Sequence, residues 1–131
     1  IHGTIRGIHF STNPSGQAKY VQCVFGEVLD VIVDLRLNST TFGMWELVKL
    51  TEEAHNAVFI PNGFGHGFQT LTASACVMYC VDQVYNPLQE HSINPFAEDL
   101  GIKWEPLQPI LSERDQNAKS LGYFVKKGLF L

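Results

Sequence analysis

The clearest pattern in the chain is an alternation of apolar and polar residues with a period of two. One face of residues 27–36 is wholly apolar and consists of Leu29, Val31, Val33 and Leu35. The other face carries charge, including the carboxylates of Asp30 and Asp34. This period predicts a β-strand that packs one face on a core and exposes the other, as in a half-exposed antiparallel sheet or barrel.

Turn residues divide the rest of the chain into further short segments of the same kind. Gly26-Glu27 predicts a turn that joins residues 27–36 to a partner strand at residues 20–25. Further strands are predicted at residues 43–50 and 57–60, and a hairpin from residues 68–71 and 75–85. Near the end, Ser112-Glu113-Arg114-Asp115 is similar to a capping box and predicts a short helix over residues 112–121.

These elements point to a fold class. Many short strands at regular spacing, separated by Gly and Pro turns, are typical of a sandwich or jelly roll. We predict an all-β fold: a cupin-type jelly-roll barrel (a double-stranded β-helix) with a short C-terminal helix. The 131 residues are enough for one domain with its own core. Because we find no linker or repeat, residues 1–131 are predicted to form a single domain.

Composition excludes some partners. The net charge of −4 gives no basic field, so nucleic acid is not expected to bind. We find no signal peptide and no apolar run long enough to span a membrane, so no membrane association is expected. The three cysteines, Cys23, Cys76 and Cys80, contain no Cys-x-x-Cys pair. We therefore expect free thiols in a reducing cytoplasm.

Five residues could carry chemistry: His9, Lys19, His66, Tyr79 and Asp115. Each also has a purely structural interpretation. His9 could be a satisfied structural histidine, and Lys19 could be a solvated lysine at a sheet edge. A lysine that faces a barrel interior would instead be costly unless it is used. His66 could only shape a turn, Tyr79 could belong to the core, and Asp115 could simply begin a helix.

A metal centre is not expected. A metal-binding cupin usually offers two histidines near each other on one strand, then a glutamate, and later a third histidine. Here Ser11 stands where a second histidine would follow His9, and only His66 occupies the later position. A zinc site at Cys76 and Cys80 would need more soft ligands nearby.

Several motifs occur together, in order, along the chain. They are Arg6-Gly7-Ile8-His9-Phe10, Gly16-Gln17-Ala18-Lys19, Gly26-Glu27-Val28-Leu29-Asp30-Val31, Asp34-Leu35-Arg36, Ser39-x-x-Phe42-Gly43-x-Trp45, Ile60-Pro61-x-Gly63-Phe64-x-His66-Gly67-Phe68, Tyr79, Tyr85-x-Pro87 and Ile110-Leu111-Ser112-x-x-Asp115. In order and spacing, this set resembles the dTDP-4-dehydrorhamnose 3,5-epimerase family, the cofactor-free sugar-nucleotide epimerases of deoxysugar biosynthesis. The resemblance extends from Gly3 to about Leu121.

The resemblance implies a role for each matching residue. His9 corresponds to the catalytic base and Asp115 to the carboxylate that orients it. Tyr79 corresponds to the general acid on the opposite face of the sugar, and Lys19 to the cation beside the C4 oxygen. The positions implied to contact the ligand are Arg6, Gln17, His66, Tyr85 and Glu90.

The implied chemistry suits these residue types. A ketone at C4 acidifies the hydrogens on C3 and C5, and a neutral imidazole, with an ordinary pKa of about 6.5, can accept such a proton. No electrons leave the substrate, so no cofactor is expected. The resemblance also implies a dTDP-4-keto-6-deoxyhexose substrate and a homodimer.

Three alternatives stay open. Residues 16–21 are similar to members from antibiotic-sugar pathways, some of which invert only C3 or only C5. Two further hypotheses belong to other functional classes, namely a non-catalytic sugar-binding jelly roll and a metal cupin. The segment that precedes the Arg-Gly-x-His motif in the family has no counterpart here, so we expect the chain to lack the N-terminal part of the family domain.

Overall fold

A computed structural model describes residues 1–130 of the chain. The strands in that range are β1 (Ile5–Ser11), β2 (Lys19–Phe25), β3 (Glu27–Asp34), β4 (Trp45–Thr51), β5 (Ala57–Ile60), β6 (Phe64–Thr70), β7 (Cys76–Val81) and β8 (Glu90–Ser92). The helices are α1 (Glu113–Gln116) and α2 (Leu121–Lys127). No helix within residues 1–130 combines the length and apolar character needed to cross a membrane.

The strands form two antiparallel sheets that enclose a core. The larger sheet has the order β4-β3-β6-β1-β8, and the smaller has the order β5-β2-β7. Side chains from both sheets meet in one cluster of buried residues, namely Val21, Cys23, Val28, Leu50 and Ile60. This arrangement is a jelly-roll barrel, and the predicted all-β fold class is confirmed.

The two predicted hairpins are wrong, although their strands exist. β2 pairs with β5 and β7, while β3 pairs with β4 and β6. Residues 20–25 and 27–36 therefore belong to different sheets, and the turn at Gly26, with φ of 72°, carries the chain between them. β6 and β7 are likewise separated. A period of two indicates which face a side chain occupies but not which strand lies alongside.

The face of β3 that was predicted to be exposed is turned into the barrel. Asp30 is 0% exposed and lies on the same side of the strand as Val28, which belongs to the core between the sheets. The opposite face is covered by the segment that follows β8, through Ile93, Leu100, Leu121, Phe124 and Phe130. The prediction of a half-exposed strand is therefore wrong: β3 is buried on both faces.

The predicted C-terminal helix is wrong in extent. Ser112 caps α1 as the sequence motif predicts, but α1 has only four residues and ends at Gln116. A second serine, Ser120, caps α2, which buries Leu121 and Phe124. The second helix thus serves to cover the outer face of the larger sheet.

A local irregularity in β1 determines which way its functional side chains point. Residues three positions apart on a regular strand face opposite sides. The register between β1 and β6 shifts between Arg6 and His9, so this rule does not apply to them. Gly7 lies within the shift with φ of 118°, and an added Cβ would lie 2.5 Å from Gly67 Cα. Only glycine fits at this position.

We expect Gly7→Ala to lower the free energy of unfolding by more than about 2 kcal/mol, because the methyl group meets backbone atoms in a disfavoured conformation. Urea-induced unfolding followed by circular dichroism measures the change. Gly128→Ala is the control, since Gly128 has φ of 65° but no atom of residues 1–130 within 4 Å of an added Cβ. It should cost only about 1 kcal/mol. Equal losses in the two variants would contradict the steric argument.

Candidate active site

One cavity between the sheets gathers most of the predicted site residues. It has a volume of about 280 Å³ and is lined by Arg6, His9, Lys19, His66, Gly67, Phe68 and Tyr79. These residues come from β1, β2, β6 and β7, so both sheets contribute to the wall. Five of the predicted residues thus share one space, although they are far apart in sequence.

His9 and Asp115 form a hydrogen-bonded pair at the edge of this cavity. His9 Nε2 lies 2.7 Å from Asp115 Oδ1. The carboxylate is fully buried, whereas the imidazole is 30% exposed. A carboxylate on Nε2 favours the tautomer with the proton on that nitrogen, which leaves Nδ1 as the basic nitrogen. The pair therefore has the arrangement of an oriented general base.

Asp115 is held by more than the histidine. Its carboxylate also accepts hydrogen bonds from Ser92 Oγ at 2.7 Å and Ser112 Oγ at 2.8 Å. Burial acts to raise the pKa of Asp115, but the hydrogen bonds from His9, Ser92 and Ser112 outweigh it and hold that pKa well below its usual range. The buried carboxylate is consequently charged at neutral pH.

Lys19 is buried in the barrel wall, so the interpretation as a solvated edge lysine is wrong. It is 9% exposed and lies on β2. Burial lowers the pKa of Lys19, while the charges of Glu90 and Asp30 partly oppose this effect. A cation in such surroundings interacts strongly with any negative charge that develops beside it.

A second histidine–carboxylate pair lies inside the barrel. His66 Nε2 is 2.7 Å from Asp30 Oδ2, and both side chains are buried. His66 lies within β6 and is the register partner of His9 on β1, so the interpretation as a turn residue is wrong. Among residues 1–130, the Oδ1 atom of Asp30 has no hydrogen-bond partner. Sequence reasoning missed Asp30 because its face of β3 was assigned to solvent.

Tyr79 reaches the cavity from the smaller sheet. It pairs with Val21 across β2 and β7, and Val21 points into the barrel. The side chain is nevertheless 59% exposed, because β7 is the edge strand of its sheet. The interpretation of Tyr79 as a core residue is therefore wrong. The phenol of Tyr79 and the imidazole of His9 therefore lie on opposite walls of the cavity.

Three of the predicted ligand contacts, Gln17, Tyr85 and Glu90, are not part of this cavity wall. The side-chain amide of Gln17 donates a hydrogen bond to the carboxylate of Glu90 at 3.1 Å, so these two predicted residues contact each other. Tyr85 is 62% exposed and lies outside the cavity lining. Arg6 does line the cavity, and its guanidinium donates to the backbone carbonyl of Ile5 at 2.8 Å. Their proposed ligand contacts stay predictions.

Two serines that hold Asp115 were not identified as site residues from the sequence. Ser112 appeared only as a helix cap, and Ser92 lies in a three-residue strand without a clear pattern. Within residues 1–130, no group of three or more His, Cys, Asp or Glu residues is arranged to hold a metal ion. In that described range His9 and His66 are each hydrogen-bonded to a carboxylate.

Because the pKa of Asp115 is depressed in the folded state, its contribution to stability is present above about pH 4 and is lost as the pH falls further. We expect Asp115→Asn to lower the free energy of unfolding at pH 7 by about 2–4 kcal/mol and to lose less stability than the wild type between pH 5 and pH 2. Urea titrations across that range measure both effects. The exposed Glu98→Gln is the control. A wild-type pH dependence in Asp115→Asn would contradict the assignment.

Comparison with known proteins places these features in context. The chain matches the model of the dTDP-4-dehydrorhamnose 3,5-epimerase family over residues 1–122. It is 46% identical over 128 residues to a dTDP-4-dehydro-6-deoxyglucose 3-epimerase of Streptomyces bikiniensis, covering 97% of this chain and 65% of the relative. It is 42% identical over 128 residues to a dTDP-4-dehydrorhamnose 3,5-epimerase of Streptomyces griseus, covering 97% and 64%.

Solved structures agree with the sequence matches. NovW, a 4-keto-6-deoxy sugar epimerase from the novobiocin cluster of Streptomyces spheroides, superposes with a TM-score of 0.96 at 43% identity, covering 99% of this chain and 65% of that one. The RmlC epimerase of Mycobacterium tuberculosis gives a TM-score of 0.96 at 39% identity, covering 98% and 66%. The chain thus spans about 65% of the length of the relatives it matches. From the family match, these identities and the shared fold, the chain belongs to the dTDP-4-dehydrorhamnose 3,5-epimerase family.

Proposed function

We propose that this chain is an isomerase that inverts C3, C5 or both in dTDP-4-keto-6-deoxyglucose, in deoxysugar biosynthesis. The observation that carries the proposal is the His9–Asp115 pair at a cavity that also contains Lys19 and Tyr79. A base, a cation and a phenol on facing walls are the groups needed to remove a proton from carbon and return one to the opposite face.

In the first step, His9 removes the proton from a carbon next to the C4 ketone. The C–H bond breaks, its electron pair delocalises onto the C4 oxygen, and the proton is bound by the imidazole. Asp115 stabilises the resulting imidazolium without accepting the proton itself. Lys19 stabilises the enolate oxygen, and a preorganised donor of this kind is worth roughly 3–4 kcal/mol.

In the second step, Tyr79 donates its phenolic proton to the same carbon from the opposite face. The C–H bond forms as the enolate collapses to the ketone, and the configuration is inverted. Solvent then restores the proton of Tyr79 and takes the proton held by His9. The exposed position of Tyr79 on edge strand β7 supports this exchange with water. No oxidant, reductant or cofactor enters this balance.

The relatives support the substrate class. The 3'-monoepimerase of Streptomyces bikiniensis has been solved with dTDP-quinovose, and the Legionella pneumophila enzyme with dTDP-4-keto-L-rhamnose. We propose that Arg6 binds the diphosphate through its guanidinium, which suits bidentate contact with phosphate oxygens. Gln17, His66, Tyr85 and Glu90 are the further proposed ligand contacts.

One neighbouring structure supports the paired roles of His9 and Tyr79. It is a double mutant of the Streptomyces bikiniensis 3'-monoepimerase in which one histidine becomes asparagine and one tyrosine becomes phenylalanine. The two altered residues are separated by as many positions as His9 and Tyr79 are here. The 3-epimerases among the relatives, at 46% and 47% identity, favour a C3-only enzyme as the second candidate function.

We further propose that the chain forms a homodimer in the cytoplasm. The outer face of the smaller sheet carries exposed apolar side chains at Tyr20, Phe59 and Met78, and a contiguous surface of this kind marks an interaction site. The edge strand β7 adds unpaired backbone groups, which a second copy would satisfy. All three cysteines are free, as expected in a reducing compartment.

Proton NMR of the keto sugar in heavy water tests the activity. The wild type should incorporate deuterium at C3, C5 or both, which also separates the two candidate functions. His9→Ala should slow exchange at each carbon by at least about 10³-fold, because the base is lost. Tyr79→Phe should retain part of the exchange while net inversion is suppressed.

The exposed His2→Ala is the matched control and should behave as the wild type does. Near-normal exchange with His9→Ala would refute the assignment of the base. Binding of the sugar nucleotide without any exchange in the wild type would instead favour a non-catalytic sugar-binding jelly roll.

Light scattering coupled to size exclusion tests the dimer. The wild type is expected to have twice the chain mass, and Phe59→Glu should shift it towards the monomer because a carboxylate would be buried in the interface. Leu88→Glu is the control, since Leu88 is equally apolar, 87% exposed and outside the sheet. A monomeric wild type, or equal effects of both variants, would contradict the proposed surface.

A further inference from the structure

The carboxylate of Asp115 receives neutral donors from two separate elements. Ser92 belongs to β8 and Ser112 precedes α1. Oδ2 accepts from Ser112 at 2.8 Å, and the Gly7 amide approaches the same atom at 3.4 Å. Oδ1 accepts from both His9 and Ser92, each at 2.7 Å. The histidine therefore shares its carboxylate oxygen with a serine hydroxyl.

The two serines differ in what else they do. The Ser112 hydroxyl also accepts a hydrogen bond from the Asp115 amide at 3.1 Å, so it has a structural role as the helix cap. Ser92 is buried at 8% exposure, and its hydroxyl makes its hydrogen bond to Asp115 alone among the described contacts. It is also the register partner of His9 across β1 and β8. Ser92 does not line the cavity.

We propose that Ser92 is a positioning residue that sets the proton affinity of His9 through Asp115, an inference that rests on the proposed epimerase function. A carboxylate oxygen that already accepts a strong hydrogen bond presents less negative charge to the imidazole beside it. The imidazolium is then stabilised less than it would be beside a carboxylate oxygen that lacks this second donor. The hydroxyl also fixes the plane of the carboxylate.

Other charges near the pair remain in place when Ser92 is changed. The titratable or charged residues that face the pair, or lie on elements packed around it, are Arg6 on β1, Lys19 on β2, His66 on β6, Tyr79 on β7, Glu90 and His91 on β8, and Glu113 and Arg114 on α1. Because Ser92→Ala alters none of them, a change in the titration of His9 in this variant reports the loss of the hydroxyl.

The test combines histidine NMR titration with the pH dependence of kcat/KM for exchange. In Ser92→Ala, the midpoint of the His9 imidazole titration and the acidic limb of kcat/KM should both rise by about 0.5–1 pH unit. The rate at pH 6 should then fall by about 3- to 10-fold and recover at higher pH, with KM unchanged. Ser92→Thr keeps the hydroxyl and should stay close to the wild type.

An unchanged midpoint in Ser92→Ala, or an equal rise in Ser92→Thr, would overturn the proposal. If Ser92→Ala does not fold, Ser92→Cys takes its place, because its thiol is a weaker donor of similar size. A rise in that variant supports the proposal and no rise overturns it. The NMR titration of His9 needs no substrate turnover. If the wild type shows no exchange, the proposed epimerase function is refuted, but the titration midpoint of His9 in Ser92→Ala still tests the role of Ser92.

Discussion

The structure depends on the pairing of two carboxylates that are removed from water with two histidines. Asp30 and Asp115 are each 0% exposed, and a buried charge is tolerated only with partners close by. Each carboxylate finds a histidine at 2.7 Å, and the two histidines are neighbours across β1 and β6. The same contacts that make the buried carboxylates acceptable therefore also hold the imidazoles in fixed positions, so the packing and the proposed chemistry depend on the same hydrogen bonds.

The larger sheet uses its outer face for packing and its inner face for the polar groups of the site. Its outer face is largely apolar, although it also carries Gln69, which is hydrogen-bonded to the backbone of Glu105. This face is covered by the segment after β8, with Phe124 and Phe130 at the centre. Its inner face carries the polar groups of the cavity. Because the strands are clamped from behind by close packing, the side chains in front are held by a rigid support, as a preorganised site requires. On the outer face of the smaller sheet, by contrast, the side chains of Tyr20, Phe59 and Met78 are exposed.

Alternation with a period of two was enough to predict most strands and the jelly-roll class, since it reports the burial of faces. It could not predict the pairing of β2 or β7, which depends on contacts between distant segments. The burial of Asp30 could not be predicted for a related reason, because a polar face of a strand can line the interior of a barrel as well as face solvent. The motifs identified His9, Lys19 and Asp115, which the structure brings together in or beside one cavity. Ser92 gave no signal, because nothing local distinguishes it from a surface serine.

The separation of 106 residues between His9 and Asp115 has a consequence for biosynthesis. The carboxylate emerges from the ribosome long after the strand that bears the imidazole, and contacts between such distant segments form late in folding. A nascent polypeptide that has already built both sheets still has an unoriented imidazole. Under the proposed epimerase function, an oriented base therefore forms only after the C-terminal segment docks, and the same docking covers the outer face of the larger sheet.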